Sequence, residues 1–200
     1  MKKALITSVI LFIGAAGYSQ HLSINAFGGY TFRDKINFGN AYTYINEGGI
    51  WGVSVEGVNQ QGTGLELLYQ YQKTATPTTI YVPSQTINSN TTISYLLLNF
   101  EQYYMNNPKI LPYGGIGLGA AFYSSDYQGS SSATKFAWDI KAGVKFKMGS
   151  SVGLKIGAQL LGSSQATGTA WYYGYVYTTY ATILQFSFTG GLVFDLGGVH

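Results

Sequence analysis

The stretch Ile183-Leu184-Gln185-Phe186-Ser187-Phe188-Thr189-Gly190-Gly191-Leu192-Val193-Phe194-Asp195-Leu196 decides the fold. Leu184, Phe186, Phe188, Leu192, Phe194 and Leu196 fall on one face, interrupted only by Gly190. Gln185, Ser187, Thr189, Gly191, Val193 and Asp195 fall on the other. Strict alternation over this length describes a strand with one face in an apolar phase and one in a polar phase. Strands of soluble proteins usually run about 5–6 residues. A strand crossing a bilayer needs about 9–11 residues when tilted, and this stretch exceeds that.

The start of the chain sets the compartment. Lys2 and Lys3 precede an apolar run over residues 4–16, followed by small residues at Gly17 and Ser19. This is the pattern of a secretory signal peptide, too short to span as a helix. It divides the chain into a signal peptide at 1–19 and one mature domain at 20–200. The absence of Cys excludes disulfides and a lipid-anchored cysteine. Without Lys2 and Lys3, nine basic residues face eight acidic ones. That balance implies no nucleic-acid surface. Charged residues make up 10% of the chain, far below the ~25% of soluble domains. Twenty-seven Gly and 18 Tyr suit a lipid-facing β-structure with aromatics at its interfaces.

Seven further alternating stretches precede the last. Residues 22–33 place Ile24, Ala26, Gly28, Tyr30 and Phe32 on the apolar face, with Phe27 as an exception on the other. Residues 49–57 oppose Trp51, Val53 and Val55 to Ser54 and Glu56, and residues 64–73 oppose Leu65, Leu67, Tyr69 and Tyr71 to Glu66, Gln70 and Gln72. Over 91–104, Leu96, Leu98 and Phe100 are read as outward, which turns Asn99 and Glu101 inward. Over 112–124, Ile116, Leu118, Ala120 and Phe122 oppose a row of Gly115, Gly117 and Gly119 that leaves room inside. Residues 135–148 and 151–162 turn Asp139, Lys141, Lys145 and Lys155 inward. Connections alternate between short (58–63, 104–111, 149–150) and long (34–48, 74–90, 125–134, 163–182). Long loops on one side and tight turns on the other is the outer-membrane barrel arrangement. The expected fold is therefore all-β: an eight-stranded antiparallel transmembrane β-barrel.

Two motifs carry a family resemblance. Thr189, Gly191, Phe194 and Leu196 resemble the C-terminal signal read by the barrel assembly machinery. Tyr95-Leu96-Leu97-Leu98-Asn99-Phe100, a turn containing Pro108, and then Pro112-Tyr113-Gly114-Gly115-Ile116-Gly117-Leu118-Gly119 resemble small outer-membrane β-barrel domain proteins of the porin-like superfamily, OmpX/OmpW-like. The resemblance implies an outer-membrane location in a Gram-negative-type envelope, with outer-membrane lipid and the assembly machinery as partners. It does not imply one activity. A monomer without cofactor is expected.

Two sets of residues could carry function. Glu56, Glu66 and Glu101 on one wall would face Lys141, Lys145 and Lys155 on the other, with Asp139 and Arg33 nearer the outer end. Buried charges are costly unless paired, so this set reads either as a plug of cross-lumen salt bridges or as a proton or ion path. Carboxylates beside lysines stay ionised, which disfavours a general acid. The second set, Trp171, Tyr172, Tyr173, Tyr175 and Tyr177, concentrates aromatics near the tip of the last loop. It reads as a contact surface or as part of the interfacial girdle. His21 and His200 are the only histidines, so neither nucleophile–histidine catalysis nor a metal site is indicated. The function expected is structural or surface-interacting through four external loops, not enzymatic. A narrow conduit for small polar solutes or ions is the alternative.

This topology makes a direct prediction. Protease added to intact cells should cut within 34–48, 74–90, 125–134 or 163–182, as mapped by mass spectrometry of the fragments. Cleavage confined to 58–63 or 104–111 would invert the orientation.

Overall fold

The structure is a computed structural model that describes residues 21–38, 41–80, 85–87, 89–126, 132–172 and 175–196. The expected signal peptide lies outside the described residues. Among the described residues twelve strands follow in order: β1 (His21–Thr31), β2 (Asp34–Phe38), β3 (Ala41–Ile45), β4 (Gly48–Val58), β5 (Thr63–Ala75), β6 (Thr78–Ile80), β7 (Gln85–Ile87), β8 (Asn90–Tyr103), β9 (Ile110–Ser125), β10 (Ala133–Lys147), β11 (Val152–Tyr172) and β12 (Tyr175–Asp195). Eight of them close an antiparallel barrel in the order β1-β12-β11-β10-β9-β8-β5-β4. The first and last strands meet from Ser23 opposite Asp195 to Thr31 opposite Ser187, so the barrel leaves no open edge along its wall.

The alternation places side chains as the pleat requires. Ile116 and Leu118 are 62% and 61% exposed on the outside, while the intervening Gly117 faces inward. Leu96, Leu98 and Phe100 point out, and Asn99 and Glu101 are fully buried. Phe27, the exception in the first stretch, points inward. A Cβ on Gly52 would strike its ring and one on Gly191 would meet its Cβ at 2.6 Å, so the two missing side chains make the space it fills. At the turned end, the 59–62 connection is tight. Asn59 Oδ1 accepts from the N–H of Gln61 and of Thr63, each at 2.9 Å, and Gly62 takes φ +82°, a conformation open to glycine at little cost.

Three expectations need correction. The connection 163–182 is not a loop. β11 runs on to Tyr172 and β12 begins at Tyr175, and the two pair beyond the barrel with one register shift between Ala166 and Thr169. Uncharged Thr, Tyr, Trp and Val favour continued pairing over a turn, so a two-stranded ribbon projects on the order of 30 Å at the loop end. The connections 34–48 and 74–90 also carry strands, which join as a separate sheet in the order β2-β3-β6-β7.

The third correction concerns the inside, which is not uniformly polar. Toward the loop end, Phe27, Leu68, Ile93, Tyr95, Leu97, Tyr123, Leu161 and Ile183 form a buried apolar cluster, and Ile36 and Ile45 fold over it from β2 and β3. Toward the turn end, Val58, Tyr103, Leu111 and Tyr113 form a second. An eight-stranded barrel is just wide enough for side chains to fill. Apolar side chains fill it without needing partners, and that is the physical reason they alternate with the charged layer along the axis.

Closure of the wall yields a test. Phe194 is outward, opposite Ile24 on one side and Val152 on the other. A charge on the outer face of such a barrel costs up to ~2–4 kcal/mol at mid-depth, and less for an acid near the interface. Phe194→Asp should therefore leave the protein uninserted or degraded, seen as loss of the heat-modifiable band in membrane fractions. Normal insertion would remove any special role for this position.

Candidate functional site

Between the two apolar clusters lies a layer of five charged side chains, all at inward positions of their strands. Glu56 comes from β4, Glu66 from β5, Glu101 from β8, Lys141 from β10 and Lys155 from β11. All five are buried, the glutamates to within 1% of complete burial. Register puts Glu56 directly opposite Glu66 and Lys145 directly opposite Lys155. Like charges so placed repel. The barrel resolves both conflicts by bringing in opposite charges across the lumen and sending one lysine elsewhere.

Lys141 Nζ donates to Glu66 Oε2 and lies 2.5 Å from Glu101 Oε1. Lys155 Nζ lies 2.7 Å from Glu101 Oε2, 3.5 Å from Glu56 Oε2 and 3.7 Å from Glu66 Oε1. Each lysine thus bridges two or three carboxylates. Neutral groups add hydrogen bonds to Glu66 and Glu101, whereas neither oxygen of Glu56 receives one and its charge is met by Lys155 alone. Ser54 Oγ donates to Glu66 Oε1 at 2.7 Å, Asn99 Nδ2 to Glu66 Oε2 at 2.8 Å, and Tyr103 OH to Glu101 Oε2 at 3.0 Å. The Lys155 ammonium also stands 4.5 Å from the centre of the Tyr113 ring, a favourable cation–aromatic contact in a desolvated place. The glycines of β5 and β9 make room. A Cβ on Gly115 would fall 2.9 Å from Glu101 Cγ, and one on Gly117 would collide with Asn99 and Asp139.

The other residues expected in this layer lie elsewhere. Lys145 turns toward the turn end and pairs with Asp195 at 2.9 Å, which removes it from Lys155 and the glutamates. Asp139 sits above the cluster, where its Oδ2 accepts from Gln159 Nε2 at 2.8 Å. Arg33 does not enter the lumen at all. β1 ends at Thr31, the alternation breaks there, and the exposed guanidinium lies 3.6 Å over the Tyr44 ring. Tyr103, Tyr113 and Ser54 were not singled out from sequence, although inward alternation marks Ser54 beside Glu56. Of the aromatics near the ribbon tip, Tyr173 lies outside the described residues, and Trp171, Tyr172, Tyr175 and Tyr177 are described by backbone alone. Of the C-terminal motif, Thr189, Gly191 and Phe194 lie in β12. Leu196 is one residue past its end, and its N–H donates to the Leu22 carbonyl at 2.8 Å.

This arrangement fills the barrel. A cavity of about 30 Å³ remains beside Asn25, Phe27, Tyr113 and Gln159 next to the cluster, room for one or two waters. Among the described residues no group of three or more His, Cys, Asp or Glu side chains is placed to hold a metal ion. Chemically, the layer is a cross-brace that joins opposite walls of the barrel.

No protein-family model and no curated protein matches the chain. Solved structures do. Neisserial surface protein A superposes with a TM-score of 0.57 at 16% identity, over 86% of this chain and 96% of that one. The outer membrane protein OprG from Pseudomonas aeruginosa gives 0.59 at 10% identity, over 92% and 99%. The outer membrane protein AlkL, determined in lipid bilayers, gives 0.52 at 14% identity, over 92% and 94%. The fold is that of the small eight-stranded outer-membrane β-barrels.

The brace can be tested by double substitution. Glu66→Leu removes a partner of both lysines and should cost on the order of 3 kcal/mol, the typical penalty for breaking a buried pair. Adding Lys141→Leu should recover part of that loss in urea unfolding from lipid vesicles. If the lumen were hydrated, each single change would instead be worth only ~0–1 kcal/mol.

Proposed function

We propose that this chain is an integral outer-membrane protein whose barrel is a closed scaffold, serving a structural or surface-interaction role through the elements at its loop end. The observation that carries the reading is the blocked lumen. Three layers in succession fill the interior: the cluster around Tyr103 and Tyr113, the Glu–Lys brace, and the larger cluster around Tyr95 and Leu97. A solute moving along the axis would have to displace all three.

The outward face supports a membrane location. Trp51, Leu98, Phe100, Ile116, Leu118, Ile140, Phe188 and Leu192 are all exposed around the wall. An apolar belt of this extent is unstable in water and is suited to a bilayer. The similar solved structures carry outer-membrane names, and the signal-peptide pattern fits export. Function is then assigned to what the scaffold displays: the β2-β3-β6-β7 sheet, the β9–β10 connection and the β11–β12 ribbon. Catalysis is not part of the reading. His21 stands at the turn end, in the mouth lined by Lys145 and Asp195, on the opposite side from the displayed elements.

Planar-bilayer recording of the refolded protein separates this reading from a narrow conduit. The plugged scaffold should show no steps above the leak of the bare bilayer. Sustained single-channel steps from correctly folded, heat-modifiable protein would overturn the scaffold reading in favour of transport.

A further inference from the structure

The nine cationic side chains of residues 20–200 are unevenly distributed. Lys141, Lys145 and Lys155 are in the lumen, Lys109 and Lys147 are at the turn end, and Lys135 is on the inward phase of β10. The remaining three, Arg33, Lys35 and Lys73, are exposed at the loop end. All three belong to one sector of the rim, where β1, β4 and β5 run side by side. The carboxylates near them are Asp34 and Glu47, with Asp126, held by Asn90, close enough to Lys73 to interact with it. Asp34 is engaged with the backbone N–H of Leu184 at 2.9 Å and of Lys35 at 2.8 Å.

The same sector carries two groups of aromatic side chains on the outside of the barrel. Phe32 lies 5.7 Å from Tyr30, 5.9 Å from Phe186 and 6.0 Å from Phe188, centre to centre. On the next strands Trp51 lies 5.3 Å from Tyr71 and 6.2 Å from Tyr69. Aromatic belts of this kind mark the depth of the lipid headgroups. Arg33 follows Phe32 directly, and Lys73 follows Tyr71 by one strand repeat, so the cations stand one step beyond that depth.

The side chains of Arg33 and Lys35 are held in place. In β2 and β3, Ile36 and Ile45 face the plug, so Lys35 and its register partner Tyr44 occupy the face turned away from the barrel axis. The Arg33 guanidinium is stacked 3.6 Å over Tyr44, and the Lys35 ammonium is 4.6 Å over Tyr42. The two rings touch at 5.4 Å. A guanidinium stacked on a ring keeps its N–H edge free, and that planar fork matches a phosphate bidentately.

We propose that this sector is a binding site for a phosphorylated lipid of the leaflet at the loop end. Arg33 and Lys35 take the phosphate, and Phe32, Phe186 and Phe188 pack against the acyl chain. The chemistry argues for a lipid over a free anion, because the cations are continuous with an apolar wall that only an acyl chain would cover. The site rests on the membrane reading given above and adds a ligand class to it.

The test uses the full mature chain in nanodiscs of phosphatidylcholine with a minority of phosphatidic acid, and counts lipids retained after release by native mass spectrometry. Wild-type protein should retain phosphatidic acid over phosphatidylcholine by about thirtyfold, as expected for two cations near an anionic lipid headgroup. Arg33→Gln with Lys35→Gln should abolish the preference. Lys109→Gln with Lys147→Gln, an equal loss of charge at the turn end, should keep it. Equal retention by wild type and the rim double variant overturns the site, and so does an equal loss in the turn-end variant. Displacement by inorganic phosphate at matched concentration overturns the lipid assignment. A protein that fails to enter nanodiscs overturns the membrane reading and the site together, whereas one that inserts without any preference overturns the site alone.

Discussion

Lys141 and Lys155 reach across the lumen from β10 and β11 to carboxylates on β4, β5 and β8, and the rest of the barrel is arranged around that meeting. The charges cannot sit in a filled barrel singly, because an ion removed from water costs several kcal/mol unless it is paired and hydrogen-bonded. Glu66 satisfies that condition with two lysines, Ser54 and Asn99. Glu101 does so with two lysines and Tyr103. Once these contacts form, strands that are not neighbours in the wall are tied to each other. Register is then pinned from inside as well as by the pleat, since a one-residue slip would turn every charged side chain to the opposite face.

The apolar layers on either side make the brace effective. Tyr103 and Tyr113 close it from the turn end, and Leu68, Tyr95 and Leu97 from the loop end. Excluding water keeps the local dielectric low, so each ion pair is stronger and each unpaired charge is more costly. The glycines at 115 and 117 belong to the same design. They remove side chains where Glu101, Asn99 and Asp139 need the volume. A plug built this way ties opposite walls together and fills the axis between the two apolar clusters.

On the outer face, the wall is not symmetric. Apolar residues encircle it, yet outward cations at the loop end gather over β1 and β5 only. A uniform belt would serve any barrel in any bilayer, so an uneven distribution of charge distinguishes one side of the rim chemically. The β2–β3 segment contributes twice to this asymmetry. Its Ile36 and Ile45 seal the plug, and its Lys35 and Tyr44 face the other way toward the rim.

Alternation by itself determined the eight crossing strands, their inward and outward faces, and the placement of Glu56, Glu66, Glu101, Lys141 and Lys155 inside. It could do so because strand periodicity is local, and each residue's face follows from its neighbours in the chain. The run Leu96-Leu97-Leu98 also held a hint of the apolar plug, since it is apolar on both faces. Tertiary structure alone decided which charges meet. Lys145 was expected among the glutamates and instead pairs with Asp195, because its cross-strand neighbour is Lys155 and like charges part. Arg33 was expected inside and lies outside, because the strand ends two residues before it and periodicity says nothing beyond a strand's end. The ribbon of β11 and β12 and the sheet of β2, β3, β6 and β7 came from pairings between segments that sequence read as loops. Pairing across a lumen or between distant loops is a matter of three-dimensional distance, and no local pattern along the chain encodes it.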